Sequence, residues 1–127
     1  MPRHSVLLDG RPDEVMRRVR RHFEDANTLA RDGDRLVARF GGDASGLPFH
    51  TVELLTFSAT EVTFEHLGGT FYGCWERFWV TPAGEDRTEL AHAGWFRMRG
   101  GLLGWLLGVT LVRRLFLAYV EQAMRQF

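Results

Sequence analysis

The chain has 127 residues, 45% of them hydrophobic and 25% charged, and its sixteen basic residues, all arginine, balance sixteen acidic ones. That neutrality provides no whole-molecule field for nucleic acid or anionic lipid, and the absence of lysine excludes Schiff-base chemistry and a P-loop. The single Cys74 excludes an internal disulfide and a cysteine-built zinc site, and it fits a reducing cytoplasm.

The length suits one domain, 1–127, with a core of useful size. The start, Met1 to Asp9, has too short an apolar run for a signal peptide. The apolar run near the end is broken by Arg113-Arg114 and falls short of the roughly 20 residues that a bilayer span needs. These features predict a soluble, cytoplasmic protein with no transmembrane segment.

In chain order, His4 to Leu8 reads as a short strand. Pro12, Asp13 and Glu14 then suit the positive first turn of a helix, whose apolar stripe is Val15, Met16, Val19 and Phe23. Arg17, Arg18, Arg20 and Arg21 fill the rest as a solvated face. Asn27 to Asp32 is expected to form a second short helix before a turn at Gly33-Asp34. Arg35 to Phe40 alternates as a strand, and Gly41 to Gly46 has the composition of a mobile connector or lid. Leu47 to Phe57 and Val62 to His66 form a hairpin around Ser58 to Glu61, and Gly68-Gly69 marks the next turn. Thr70 to Thr81 and Arg87 to Met98 are two longer strands joined by the turn cluster Pro82 to Asp86. From Gly100 to Phe127 there is no proline, and Leu102 to Val112 carries no charge on any face, so one long, buried helix is expected.

The order β-α-α-β5-α, with hairpin-linked strands and segregated helices, predicts an α+β class with a curved antiparallel sheet wrapped around a long C-terminal helix. Over its whole length the chain resembles the START/Bet v 1-like helix-grip superfamily, often labelled SRPBCC, including its polyketide cyclase/dehydrase-like and coenzyme Q-binding-like bacterial members. The resemblance rests on element order, the strand pair Thr70–Thr81 and Arg87–Met98, and the run Thr88 to Met98 followed by Gly100-Gly-Leu-Leu-Gly104. It implies an apolar cavity between the sheet and the last helix.

Pairing Val80 with Thr88 sets Phe78 against Leu90, Glu76 against His92, Cys74 against Gly94 and Tyr72 against Phe96 on one face. Placing Ser58 opposite Glu61 sets Leu55 against Phe64 and Glu53 against His66. Two carboxylate–imidazole pairs, Glu76–His92 and Glu53–His66, would then lie in an apolar cavity as candidate acid/base groups or as a polar floor for a ligand. Tyr72, Phe78, Leu90, Phe96, Phe64, Leu55, Leu106, Thr110 and Arg114 are the candidate ligand-binding wall. A strict two-residue turn at Gly68-Gly69 would instead bring Trp75, Arg77 and Trp79 inward; a longer turn or a bulge leaves Trp75, Trp79 and Trp95 on the outer face as a possible homodimer surface.

The histidines are scattered in sequence, which argues against a metal, and no serine sits in a Gly-x-Ser-x-Gly context. No cofactor is expected. The reading is a binder of a small polyketide-, isoprenoid- or lipid-like molecule. The alternatives are a cofactor-independent cyclase or dehydratase, and an interaction module acting through the tryptophan face on a partner chain or a membrane surface.

Overall fold

The computed structural model describes residues 3–25, 27–44, 47–69, 73–95, 120, 124–125 and 127, giving backbone only for 42–44, 47 and 49. Its elements are β1 (His4–Asp9), α1 (Pro12–Glu24), β2 (Asn27–Asp32), β3 (Arg35–Ala44), β4 (Leu47–Phe57), β5 (Glu61–Gly69), β6 (Trp75–Pro82) and β7 (Arg87–Trp95). The seven strands form one curved sheet in the order β1-β7-β6-β5-β4-β3-β2, with every neighbouring pair antiparallel. The first and last strands are thus neighbours, and α1 carries the chain from one side of the sheet to the other.

α1 starts where its sequence says it should. Pro12 fills the first turn, and the Glu14 carboxylate accepts the Arg11 backbone N–H at 3.1 Å, satisfying one of the donors a helix leaves unpaired. Its buried stripe, Val15, Met16 and Val19, packs on the sheet with Leu36, Leu55, Val62, Phe64, Phe78 and Leu90. Each such side chain contributes about 1.5–3 kcal/mol on burial. Phe23 joins an edge-to-face aromatic cluster with Phe64 (4.8 Å between ring centroids) and Phe40 (6.2 Å). The arginine face is solvated and paired: Arg17 meets Asp13 at 3.5 Å, and Arg20 meets Glu24 and Asp34 at 2.7 and 2.9 Å. Among the described residues no helix is long and apolar enough to cross a membrane.

Two expectations are corrected. Asn27–Asp32 is the edge strand β2 and not a helix: it pairs with β3 through a two-residue turn whose first central residue, Gly33, has φ +59°. All six of its residues are exposed, so no apolar stripe held it as a helix, and the backbone ladder decided the matter. Residues 41–44 are likewise not a loop, because β3 pairs with β4 as far as Ala44 opposite Leu47.

The expected C-terminal helix lies almost wholly outside the described residues. Within it, Val120 and Met124 are helical and buried in the core, and Phe127 stacks edge-on against His22 at 5.0 Å.

Candidate functional site

Parity along four strands aims four polar side chains at the core side of the sheet. In β4 the alternation buries Thr51, Glu53, Leu55 and Phe57. In β5 it buries Val62, Phe64 and His66; in β6, Glu76, Phe78 and Val80; in β7, Leu90 and His92. Glu53, His66, Glu76 and His92 therefore share one face that is otherwise hydrocarbon and aromatic ring.

The β4–β5 register is as expected, with Leu55 opposite Phe64 and Glu53 opposite His66. Beyond His66 a bulge at Leu67 shifts the pairing, so that Gly68 and Gly69 face Val52 and Thr51 inside the sheet and do not form the turn. Gly69 has φ +89°, and a Cβ there would stand 2.4 Å from the His50 carbonyl oxygen. Only glycine allows β4 and β5 to approach this closely. In the β5–β6 pairing Glu76 stands opposite the buried Phe64 and faces inward, while Arg77 lies outside, 4.2 Å over the Trp79 ring and 3.9 Å from Glu61.

The β6–β7 register differs by two residues from the expected one. Val80 pairs with Leu90, Phe78 with His92 and Glu76 with Gly94. A two-residue slip keeps every side chain on its predicted face but changes its neighbours. Glu76 is thus diagonal to His92 and also reaches across to β5. The two separate pairs expected from the sequence become one network.

Its distances run in sequence across the sheet. His66 Nε2 lies 3.0 Å from Glu53 Oε1 and 3.5 Å from Glu76 Oε2, and the other Glu76 oxygen lies 3.7 Å from His92 Nε2. Phe78 stacks on the His92 ring at 4.6 Å, and Gly94 opposite Glu76 adds no side chain there. Burial alone would push the His66 imidazole down, yet the hydrogen bonds and charges of Glu53 and Glu76 outweigh it and raise it to about 9. Burial likewise opposes ionisation of Glu76, and its contacts with His66 and His92 reverse that, holding it below its ordinary value. The two carboxylates thus favour the protonated, proton-donating imidazolium form of His66 at neutral pH.

Of the expected wall, Leu55, Phe64, Phe78 and Leu90 are buried in the apolar core, with Leu55 and Leu90 fully covered by neighbouring atoms. Tyr72, Phe96, Leu106, Thr110 and Arg114 lie outside the described residues. Two polar residues escaped sequence reading. His4 on β1 pairs with His92 across the sheet and extends the polar band to a fifth strand, its Nε2 buried without a hydrogen-bond partner among the described residues. Thr51, two residues before Glu53, buries a hydroxyl that also lacks a partner among them. The alternation of β4 could have flagged Thr51; nothing local could have flagged His4.

A cleft of about 400 Å³ opens beside this network, lined by Glu65, His66, Leu67, Gly73, Cys74 and Trp75. On the other face of the sheet Trp75 and Trp95 stack 4.8 Å apart, and Trp95 is 67% exposed.

No family model and no curated protein matches the sequence. Solved structures do match the fold. TTHA0849 from Thermus thermophilus superimposes with a TM-score of 0.77 at 21% identity, over 97% of this chain and 90% of that one. The Zhui aromatase/cyclase from Streptomyces sp. R1128 gives 0.70 at 18% identity, over 95% and 84%. A START superfamily protein from Mycobacterium smegmatis gives 0.55 at 18% identity, over 96% and 97%. The chain has the START-like, helix-grip α+β fold.

Proposed function

We propose that the chain is a single domain, 1–127, that binds a small hydrophobic molecule of polyketide, isoprenoid or lipid type against the core-facing side of its sheet. The observation that carries this reading is the buried band Glu53–His66–Glu76–His92 set in an apolar surface. Burying four ionisable side chains is costly. Specific ligand sites combine an apolar wall with a few convergent polar groups of this kind. A single buried cysteine, with no second one to pair with, agrees with a cytoplasmic protein. Native mass spectrometry of the purified chain tests the reading: an apolar molecule of defined mass is expected to co-purify, and a ligand-free chain that also takes up no added polyketide or lipid refutes it.

A second reading is a cofactor-independent cyclase or dehydratase. In this reading His66, held as an imidazolium between two carboxylates, would give a proton to a carbonyl or hydroxyl oxygen, and a carboxylate beside it would take one from carbon. One of the structures with this fold is an aromatase/cyclase, which favours the same chemistry. His66→Gln is then expected to abolish turnover of a poly-β-ketone while ligand uptake persists. Equal turnover by wild type and variant would dismiss His66 as the acid.

The stacked Trp75 and Trp95, with Trp79 beside them on the outer face, would serve as a homodimer surface.

A further inference from the structure

We propose that Glu53, His66 and Glu76 form a site for a divalent first-row transition metal ion, with His92 holding Glu76 from behind. Scattering in sequence argued against a metal, but the sheet gathers these residues. One ligand atom from each of the three lies within 4.8 Å of the other two, and all three residues are buried. The His66 Nε2 separations, 3.0 Å from Glu53 Oε1 and 3.5 Å from Glu76 Oε2, match the edges of a coordination shell whose bonds are about 2.0–2.2 Å long.

Charge points the same way. In the metal-free chain the His66 imidazolium offsets only one of the two buried carboxylates; an ion that takes its place releases that proton, leaves Nε2 free to ligate and neutralises both carboxylates at once. The independent observation is at His92. Its ring is fully buried, neither of its nitrogens has a hydrogen-bond partner among the described residues, and its Nε2 faces the second Glu76 oxygen at 3.7 Å. That oxygen lacks a hydrogen-bond partner among them too. If Glu76 gives one oxygen to an ion, the other is left to accept from a protonated His92 nitrogen, the outer-shell contact that commonly fixes a metal-binding carboxylate.

The donor set decides the class of ion. Imidazole nitrogen with carboxylate oxygen and no thiolate suits Zn²⁺, Fe²⁺, Mn²⁺ or Co²⁺, whereas Ca²⁺ and Mg²⁺ prefer oxygen alone. The three ligands found among the described residues match the number that catalytic metal sites draw from the protein. The site depends only on these four side chains and holds whether or not the ligand reading does. Together with that reading, it would put a Lewis acid beside a bound carbonyl.

The test uses untagged, EDTA-stripped full-length protein titrated with Co²⁺ and Zn²⁺ without any organic ligand. One equivalent of Co²⁺ is expected to bind with a visible d–d band, to be displaced by Zn²⁺, and to raise the melting temperature. Glu53→Gln and Glu76→Gln are each expected to weaken uptake at least tenfold, while His22→Gln, outside the site, leaves it unchanged. X-ray absorption on the zinc-loaded wild type settles the question even where a variant fails to fold. A shell of nitrogen and oxygen at about 2.0–2.2 Å with imidazole scattering supports the site. No stoichiometric uptake at millimolar Zn²⁺, an all-oxygen shell, or uptake indifferent to both glutamates overturns it.

Discussion

His66 Nε2 stands 3.0 Å from Glu53 Oε1 on adjacent strands, and both side chains are buried. Because the folded imidazole is raised to about 9 from 6.5, metal-free protein gains stability that is complete below pH 6.5 and lost as pH rises through 9. Glu76, held below 4.5, contributes in the opposite sense: its share is present above that value and lost on acidification. Stability in EDTA is therefore expected to be greatest from about pH 5 to 6.5, with a decline of at most about 3 kcal/mol towards pH 10. Urea midpoints measured across pH 4–10 check this; a midpoint that climbs between pH 7 and 10 would refute the imidazolium.

Removing the imidazole leaves two carboxylates facing each other without their shared partner. His66→Ala is expected to lose about 3–5 kcal/mol at pH 7, and Glu53→Gln on top of it to recover part of that loss. A double-mutant cycle on denaturation free energies reads the coupling. Strict additivity would mean that the two side chains do not interact.

How much of this was legible in the sequence varies from turn to turn. Glu53 opposite His66 could be read because Ser58 to Glu61 is a tight turn whose geometry the Ser58 hydroxyl helps to fix, accepting the Glu61 N–H at 3.1 Å. The Pro82–Asp86 turn is less symmetrical, with Gly84 at φ +129° and Asp86 at +53°, and it shifted the register by two while sparing the face. β2 was misread because an exposed edge strand is held by its neighbour's backbone and leaves no side-chain period to detect. His4 beside His92 was invisible for a related reason: the two meet only because the sheet joins the start of the chain to β7. The clustering of His66 and Glu76 depends on the β5–β6 register, which sets Glu76 opposite Phe64 and requires a longer connection than a Gly68-Gly69 turn, a length that periodicity does not encode.

Glycine conformation and close approach can be separated by experiment. Gly33 has φ +59° and open space around a Cβ, so Gly33→Ala is expected to cost about 1 kcal/mol for the backbone alone. At Gly69 the conformation is equally unsuited to alanine, and its Cβ would also lie 2.4 Å from the His50 oxygen and 3.0 Å from the Thr51 Cα. Gly69→Ala should therefore cost at least about 2 kcal/mol more, because β4 and β5 must part. Since Glu53 follows on β4, the same variant should also disturb the carboxylate–imidazole network, seen as a shifted His66 titration by NMR. Equal costs for the two alanines would show that the close approach is not needed.

The outer face gives the last prediction. Trp79 lies between two guanidinium groups, Arg3 at 5.3 Å and Arg77 at 4.2 Å from its ring centroid, and so is partly shielded. Among the described residues Trp95 has no such cover at 67% exposure, and Leu67 is 42% exposed. With Trp75 these form an aromatic and aliphatic strip across β5, β6 and β7, of the kind that aromatic-rich interfaces bury. If the strip joins two copies, light scattering should give twice the 14.6 kDa chain mass at tens of micromolar. Trp95→Arg should then return the mass to that of one chain while leaving metal and ligand uptake intact. A chain that runs at 14.6 kDa at every concentration would remove the homodimer from consideration.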